Sequence, residues 1–137
     1  MTIESLTGQT CFDDLGLVGP DLTRTSFLES YSNRFESLSC HGEWTSYRGH
    51  VRENQGEFVL TVVFKRERLF EVRLARVQGP SSWAEWDEKK ERQRKTEHDL
   101  ILSTALGQSP GQFQWGEASS VFEARSGASE IIIRYKQ

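Results

Sequence analysis

Two runs of alternating apolar and polar residues give the clearest structural signal in this sequence. Large apolar residues occupy every second position of both runs: Phe58, Leu60, Val62 and Phe64, then Phe70, Val72 and Leu74. Such period-two alternation is typical of strands with one buried face and one solvated face. The charged turn 65–68 separates the runs, and Glu71 and Arg73 fall on the opposite face. We therefore predict an antiparallel pair with one wet side.

Further strands are predicted near the middle and the end of the chain. The segment 44–51 is predicted as a strand in which Gly49 marks a bulge or a close backbone approach. The runs 115–123 and 130–135 are rich in β-branched and aromatic residues. Between them Gly127 can take the positive φ of a tight turn, so the pattern predicts a C-terminal hairpin.

Helix signals occur in two places. Asp21 or Thr23 can cap a short helix near 22–32 that carries Phe27 on its apolar side. A long helix is predicted near 82–106, because Ser82 and Glu85 have capping-box spacing and a glycine follows the last apolar residues. Its middle, 87–99, is almost wholly polar. We expect that part to be solvated, or the segment before Glu88 to be partly an extended loop.

These elements predict a single α+β domain over residues 1–137. We expect a mostly antiparallel sheet of about five strands, with one short helix (22–32) and one long helix (82–106) packed on one face. The predicted order is helix, three strands, helix, two strands. The length of 137 residues suits one domain, and the 36% hydrophobic content is typical of a folded globular chain. A parallel, doubly wound sheet would contradict this prediction.

Cysteine content and the first residues bear on the compartment. Cys11 and Cys40 are the two cysteines of the sequence, and their separation is unlike the spacing of a zinc site. We expect both thiols to be buried. The first residues lack the basic region and apolar run of a secretory signal, and no stretch has the length of a membrane helix. A cytoplasmic location is predicted.

Residues that could carry catalysis or bind a metal do not form a recognised pattern. The histidines are scattered (His41, His50 and His98), without an HExxH or a Cys/His cluster. Cys40 and His41 are adjacent and would point to opposite faces of a strand, unlike a catalytic pair. Asp13 and Asp14 could bind a cation or act as an acid/base pair, but they fit a solvated turn equally well. We predict no catalytic, metal or cofactor site, and an enzyme ranks third among the possible functions.

One basic run, 89–95, is a candidate for binding nucleic acid. Acidic residues are interleaved with its lysines and arginines, and no aromatic residue lies inside it for base stacking. The pattern favours an exposed helix with ion pairs at i, i+4, such as Glu88 with Arg92 and Glu91 with Lys95. We therefore expect no nucleic-acid partner and no membrane partner.

Charge is unevenly distributed, and this points to a protein partner. Residues 1–43 carry seven acidic and two basic residues, a local charge of −5, whereas the whole chain has a net charge of −3. Such a region suits a basic partner, although a merely solvated surface is the alternative. The sequence also holds four tryptophans, a residue type favoured as an interface anchor. The predicted partner-binding residues are Asp13, Asp14, Asp21, Glu29, Glu36, Trp83 and Trp86.

The C-terminal hairpin carries a family resemblance. Its Trp115-Gly116 pair, the segments 119–122 and 125–127, and the run 129–135 resemble the closing part of small bacterial proteins encoded beside polymorphic or type VI secretion toxins. The early Leu15-Gly16-Leu17 followed by a short helix is similar too. These relatives act as immunity proteins, so the resemblance implies a non-enzymatic protein that plugs or masks a cognate toxin. It assigns no contact residues, because such surfaces differ between pairs.

The functional hypothesis is therefore a toxin-neutralising immunity protein that forms a tight complex as a monomer or homodimer. The alternative is an adaptor or chaperone that binds an effector without inhibiting it. If the acidic residues are not the interface, the wet face that carries Glu71 and Arg73 is the next candidate.

Overall fold

Ten strands and two helices make up the part of the chain that the computed structural model describes, namely residues 1–54, 56–77, 88–123 and 128–137. In chain order they are β1 (Thr2–Ile3), β2 (Thr10–Phe12), β3 (Gly16–Val18), α1 (Arg24–Tyr31), β4 (Phe35–His41), β5 (Trp44–Glu53), β6 (Gly56–Lys65), β7 (Arg68–Arg76), α2 (Glu88–Leu106), β8 (Gly111–Phe113), β9 (Gly116–Glu123) and β10 (Ala128–Tyr135). Neither described helix combines the length and the hydropathy needed to cross a bilayer.

Seven of the strands form one sheet, in the spatial order β4-β5-β6-β7-β10-β9-β8. From β4 to β7 each strand pairs with the next along the chain, and the terminal hairpin joins this meander through β10 and β7. The first three strands form a separate small sheet in the order β1-β2-β3. All these pairings are antiparallel, as in hairpins and meanders generally.

The predicted fold class is wrong. The described residues do not form an α+β domain of about five strands. They form a sheet-dominated fold of ten strands in two sheets. Four of the strands that the sequence did not reveal, β1, β2, β3 and β8, have only two or three residues, too few to display alternation. The fifth, β4, is a polar edge strand whose register shifts between Ser37 and Ser39.

Several individual elements agree with the sequence predictions. The short helix α1 begins after Thr23, whose hydroxyl accepts a hydrogen bond from the Ser26 N–H at 3.1 Å. The C-terminal hairpin forms as β9 and β10, although its turn, 124–127, lies outside the described residues. Gly49 lies at a close backbone approach, because a Cβ there would be 2.8 Å from the Arg34 carbonyl oxygen.

The long helix is described from Glu88 to Leu106, so the predicted capping box of Ser82 and Glu85 lies outside the described residues. Its end agrees with the prediction. Gly107 has a φ of 71°, in the left-handed region, and its N–H donates to the Ser103 carbonyl at 2.9 Å. A glycine in this conformation satisfies a terminal carbonyl and stops the helix.

One face of the seven-stranded sheet, which we call the core face, is fully apolar at its centre. The residues at most 1% exposed there include Phe58, Leu60, Val62, Phe64, Leu69, Val72, Leu74, Ala118, Ile131 and Ile133. The register places Leu60 opposite Leu74 and Leu74 opposite Ile131. Side chains directly opposite each other on one face pack together, so this row continues across three strands.

Both helices and the small sheet cover the core face. From α1 the buried Phe27 contacts four rings with centroid separations of 5.0 to 5.6 Å: Tyr31, Phe35, Tyr47 and Phe64. The helix α2 packs on β9 and β10 and contributes the buried Leu102. Each strand of the small sheet contributes one buried hydrophobic residue: Ile3, Phe12 and Val18. All these side chains belong to one continuous hydrophobic cluster.

The two cysteines are not buried, and this prediction is wrong. Cys11 lies between the buried Thr10 and Phe12 in β2, so the alternation of the strand turns its thiol outward. Cys40 is exposed on the edge strand β4.

Replacing Gly116 by alanine should destabilise the protein by about 3 kcal/mol. Gly116 has a φ of 153°, and an added Cβ would lie 1.9 Å from the Arg134 carbonyl oxygen. This carbonyl belongs to the paired strand β10 and cannot move away without disturbing the hairpin. The free energy of unfolding in urea measures the loss.

Gly42→Ala is the matched control. Gly42 also has a positive φ, 59°, but nothing lies within 4 Å of the added Cβ. It should cost only the backbone penalty of about 1 kcal/mol. Equal losses in the two variants would contradict the close contact at Gly116.

Candidate partner-binding surfaces

Asp13 lies in the turn between β2 and β3 and holds this turn against the end of β5. Its Oδ2 accepts a hydrogen bond from the Asn54 N–H at 3.0 Å. Its Oδ1 lies 3.4 Å from the amino group of Met1. The hydrogen bond from Asn54 is the main reason why the pKa of Asp13 is lower than its usual value. This carboxylate therefore has a structural role within the chain.

Asp14 has a similar role at the same turn. Its Oδ2 accepts hydrogen bonds from Arg34 Nη2 at 2.7 Å and from the Arg52 N–H at 3.1 Å. The Arg34 bond, followed by the Arg52 bond, lowers the pKa of Asp14. The negative charge of Asp14 is thus offset by a guanidinium of its own chain.

Glu53 joins this turn to the last residue of β5. Its side chain is 1% exposed, and its Oε2 accepts a hydrogen bond from the Asp13 N–H at 2.8 Å. Burial raises the pKa of Glu53, because the apolar surroundings disfavour the charged form. Sequence reasoning did not single out Glu53, because the alternation of β5 alone does not show that a charged residue faces the core.

The other predicted acidic residues lie on separate elements and are exposed. Asp21 is in the loop before α1, Glu29 is on α1, and Glu36 is on β4 opposite Arg48. The structure therefore brings Asp13 and Asp14 together at one turn and distributes the remaining three over a loop, a helix and a strand. The predicted anchors, Trp83 and Trp86, lie outside the described residues.

The other face of the seven-stranded sheet, which we call the outer face, carries an ionic network. Glu71 is 3% exposed because two arginines cover it. Arg73 Nε lies 2.5 Å from one oxygen of Glu71, and Arg134 Nη2 lies 2.6 Å from the other. Arg134 also approaches Glu117 at 3.3 Å, and Arg73 approaches Glu130 at 3.7 Å. These pairs link β7, β9 and β10 across the outer face.

An aromatic pair lies beside this network. The rings of Trp44 and Phe70 meet edge to face with a centroid separation of 4.8 Å. Lys65 Nζ is 5.6 Å from the Trp44 ring, and the Arg134 guanidinium is 5.7 Å from the Phe70 ring. Trp44 remains 38% exposed. Two cations therefore flank a partly exposed aromatic pair on the outer face.

The position of Phe70 differs from the sequence prediction, which placed it on the same face as Val72 and Leu74. The register between β6 and β7 shifts at Val63 and Phe64, so Phe70 is an additional residue at a bulge. A bulge reverses the alternation on one side, and here it turns Phe70 toward Trp44. Leu69 takes the core position, 1% exposed, in its place.

Trp115 has a structural role. Its ring stacks on Phe113 with a centroid separation of 5.1 Å, and its Nε1–H donates to the Ser5 carbonyl at 2.9 Å. Trp44 is thus the tryptophan of the described residues that remains exposed on the outer face.

The groups with possible chemistry do not come together in the described part of the chain. No set of three or more His, Cys, Asp or Glu there is arranged to hold a metal ion. His98 is buried on α2 near Phe58, with ring centroids 6.5 Å apart, and His41 and His50 are exposed. Cys40 and His41 are neighbours on the edge strand β4.

The basic run 89–95 has intramolecular contacts where its side chains are described. Lys95 Nζ pairs with Asp99 at 3.0 Å, one helical turn away. The Arg92 guanidinium lies 5.3 Å from the Phe122 ring. The predicted pairs of Glu88 and Glu91 involve side chains outside the described set.

Comparison of the chain with protein-family models, with curated proteins and with solved structures found no match. The resemblance of the C-terminal hairpin to immunity proteins therefore stays a prediction from the sequence.

Asp14→Asn should lower the free energy of unfolding at about pH 7, and this loss should shrink in acid. The fold lowers the pKa of Asp14 below its usual value of 3.8. The carboxylate therefore stabilises the fold above that value, and the contribution is lost as the pH falls through the lower pKa of the folded state. Urea unfolding of both proteins across the acid range measures the difference.

Asp21→Asn is the control, because Asp21 is exposed in a loop. It should change the free energy of unfolding by less than about 0.5 kcal/mol. A destabilisation by Asp14→Asn that stays constant down to the lowest pH would contradict the ion pair with Arg34.

Proposed function

We propose that this chain is a cytoplasmic immunity protein that binds a cognate bacterial toxin and neutralises it by direct association. The proposal is supported by the resemblance of the C-terminal hairpin and, above all, by the outer face of the seven-stranded sheet. Among the described residues, both helices and the small sheet lie on the core face. The outer face is thus a broad surface that a partner can reach.

The size of the outer face suits a protein partner. With standard strand spacing and rise, the seven strands present about 900 Å² in projection. A stable interface buries roughly 800 Å² on each partner. The outer face also mixes partly exposed apolar residues, such as Val59 and Val63, with arginines and an exposed tryptophan. Arginine and tryptophan are enriched where binding energy concentrates.

The outer face is a better-supported interface than the acidic residues of the first third. Asp13 and Asp14 bind groups of their own chain, so reversing their charge would disturb the fold as well as any interface. Asp21 and Glu29 are exposed and can be reversed without breaking a described contact. Docking through the acidic residues, with Trp83 or Trp86 as the anchor, stays a prediction. Charge reversal at Asp21 and Glu29 can test it.

Co-expression with the secreted effector encoded beside this chain should restore growth of the host and yield a complex that co-purifies. A catalytically inactivated effector provides the control for toxicity. If the chain neither restores growth nor forms a complex with an adjacent effector, the proposal is wrong. A complex in which the effector keeps its toxicity would identify an adaptor or chaperone in place of an immunity protein.

Asp21→Lys with Glu29→Lys tests the acidic surface in the same assay. If a basic partner docks there, this double variant should slow association and weaken its dependence on salt. If the outer face is the interface, the variant should bind and protect like the parent.

A further inference from the structure

Four residues of the outer face form one row across neighbouring strands near the β6–β7 turn. Pairing places His41 opposite Trp44, Trp44 opposite Lys65, and Lys65 opposite Arg68. Residues directly opposite each other in an antiparallel pair share a face, so their side chains lie side by side. We call this set the cationic row. It contains no carboxylate, although the whole chain has a net charge of −3.

The neighbouring turn adds another arginine in an unusual conformation. Arg66 has a φ of 55°, the only positive φ at a non-glycine residue in the described part of the chain. Glycine is the usual residue at such a position, and departures from this rule tend to concentrate at functional sites. Arg66 pairs with Glu43 at 2.9 Å, and Glu67 accepts a hydrogen bond from Thr25. The two acidic residues of this region are therefore bound within the chain.

The cationic row also borders a cleft that can receive side chains of a partner. The cleft has a volume of about 650 Å³, and Lys65, Arg66 and Arg68 line it together with Glu43, Glu67 and Gln137. The Trp44 ring is held in place by its edge-to-face contact with the Phe70 ring and by the Lys65 ammonium above it. A rigid, partly exposed indole loses little conformational entropy when a partner covers it.

We propose that the cationic row is the docking site for an acidic segment of the protein partner. Trp44 is the anchor, and Lys65 and Arg68 pair with carboxylates of that segment. This inference rests on the proposed function and adds the chemistry of the partner. The opposite assignment, a basic partner on the acidic first third, would leave the row without a role in binding.

A protein segment fits the row better than a single-stranded nucleic acid. Glu43 and Glu67 lie in the adjoining cleft, and Glu71 and Glu117 lie farther along the outer face. These carboxylates interrupt the positive charge of the outer face, whereas a continuous phosphate backbone needs a longer basic track. A protein segment can place its carboxylates against Lys65 and Arg68 and turn neutral residues toward the glutamates.

The first test uses a glutamate decapeptide as the probe, at low salt, with amide and indole resonances as the readout. Saturable shifts at the Trp44 indole N–H and at Lys65 and Arg68 are expected. A lysine decapeptide and an oligouridylate of matched length are the comparison probes. If the glutamate peptide leaves these resonances unchanged, or if the oligouridylate binds more tightly, the inference is overturned.

Charge reversal supplies the matched variants. Lys65→Glu with Arg68→Glu should weaken binding of the glutamate peptide at least tenfold. Arg52→Glu is the control, because Arg52 is a 79% exposed cation at the other end of the outer face. Trp44→Leu tests the anchor, and thermal unfolding of every variant verifies that it is folded. If the Lys65→Glu/Arg68→Glu variant binds the glutamate peptide as tightly as the Arg52→Glu control does, the inference is overturned.

The effector complex separates this inference from the proposed function. If the charge-reversed pair and Trp44→Leu both neutralise the effector like the parent, the row is not the docking site, and the immunity function stands. If the parent restores no growth but the glutamate peptide still binds the row specifically, the immunity function fails and the acidic-segment site stands.

Discussion

Alternation along β6 divides the seven-stranded sheet into a face that has to be buried and a face that does not. Phe58, Leu60, Val62 and Phe64 all point to the first face, and each is at most 1% exposed. Leaving such side chains in water would cost about 1.5 to 3 kcal/mol each, so the helices and the small sheet gather on that side. Among the described residues the opposite face keeps no covering element. Within the described part of the chain, this division leaves the outer face as the uncovered side of the sheet.

The carboxylates on the two sides of the sheet have different roles. Asp13, Asp14 and Glu53 fasten the turn between β2 and β3 to the end of β5, so they serve the fold. On the outer face, Arg73 and Arg134 share Glu71 and connect strands that are distant in sequence. That network holds charged side chains in fixed positions beside Trp44 and Phe70. A surface whose side chains are already ordered loses less entropy when it binds a partner.

The sequence revealed the elements whose patterns are long enough to read. The alternation of β6 and the terminal hairpin were predicted and are confirmed. Of the two residues predicted as possible caps of the short helix, Asp21 and Thr23, the structure has Thr23. The strands of two or three residues could not be predicted, because they are too short for a periodic signal. The bulge at Phe70 could not be predicted either, because one additional residue in a strand produces no sequence pattern of its own. The aromatic pair with Trp44 was missed for this reason.

The most direct measurement of the central claim is hydroxyl-radical footprinting of the chain alone and in complex with its effector. Trp44 and Phe70 report on the outer face. Leu17, 64% exposed between Asp14 and Asp21, reports on the acidic first third. If the outer face is the interface, complex formation will protect Trp44 and Phe70 from oxidation and leave Leu17 reactive. Protection of Leu17 with unchanged oxidation of Trp44 and Phe70 would contradict it.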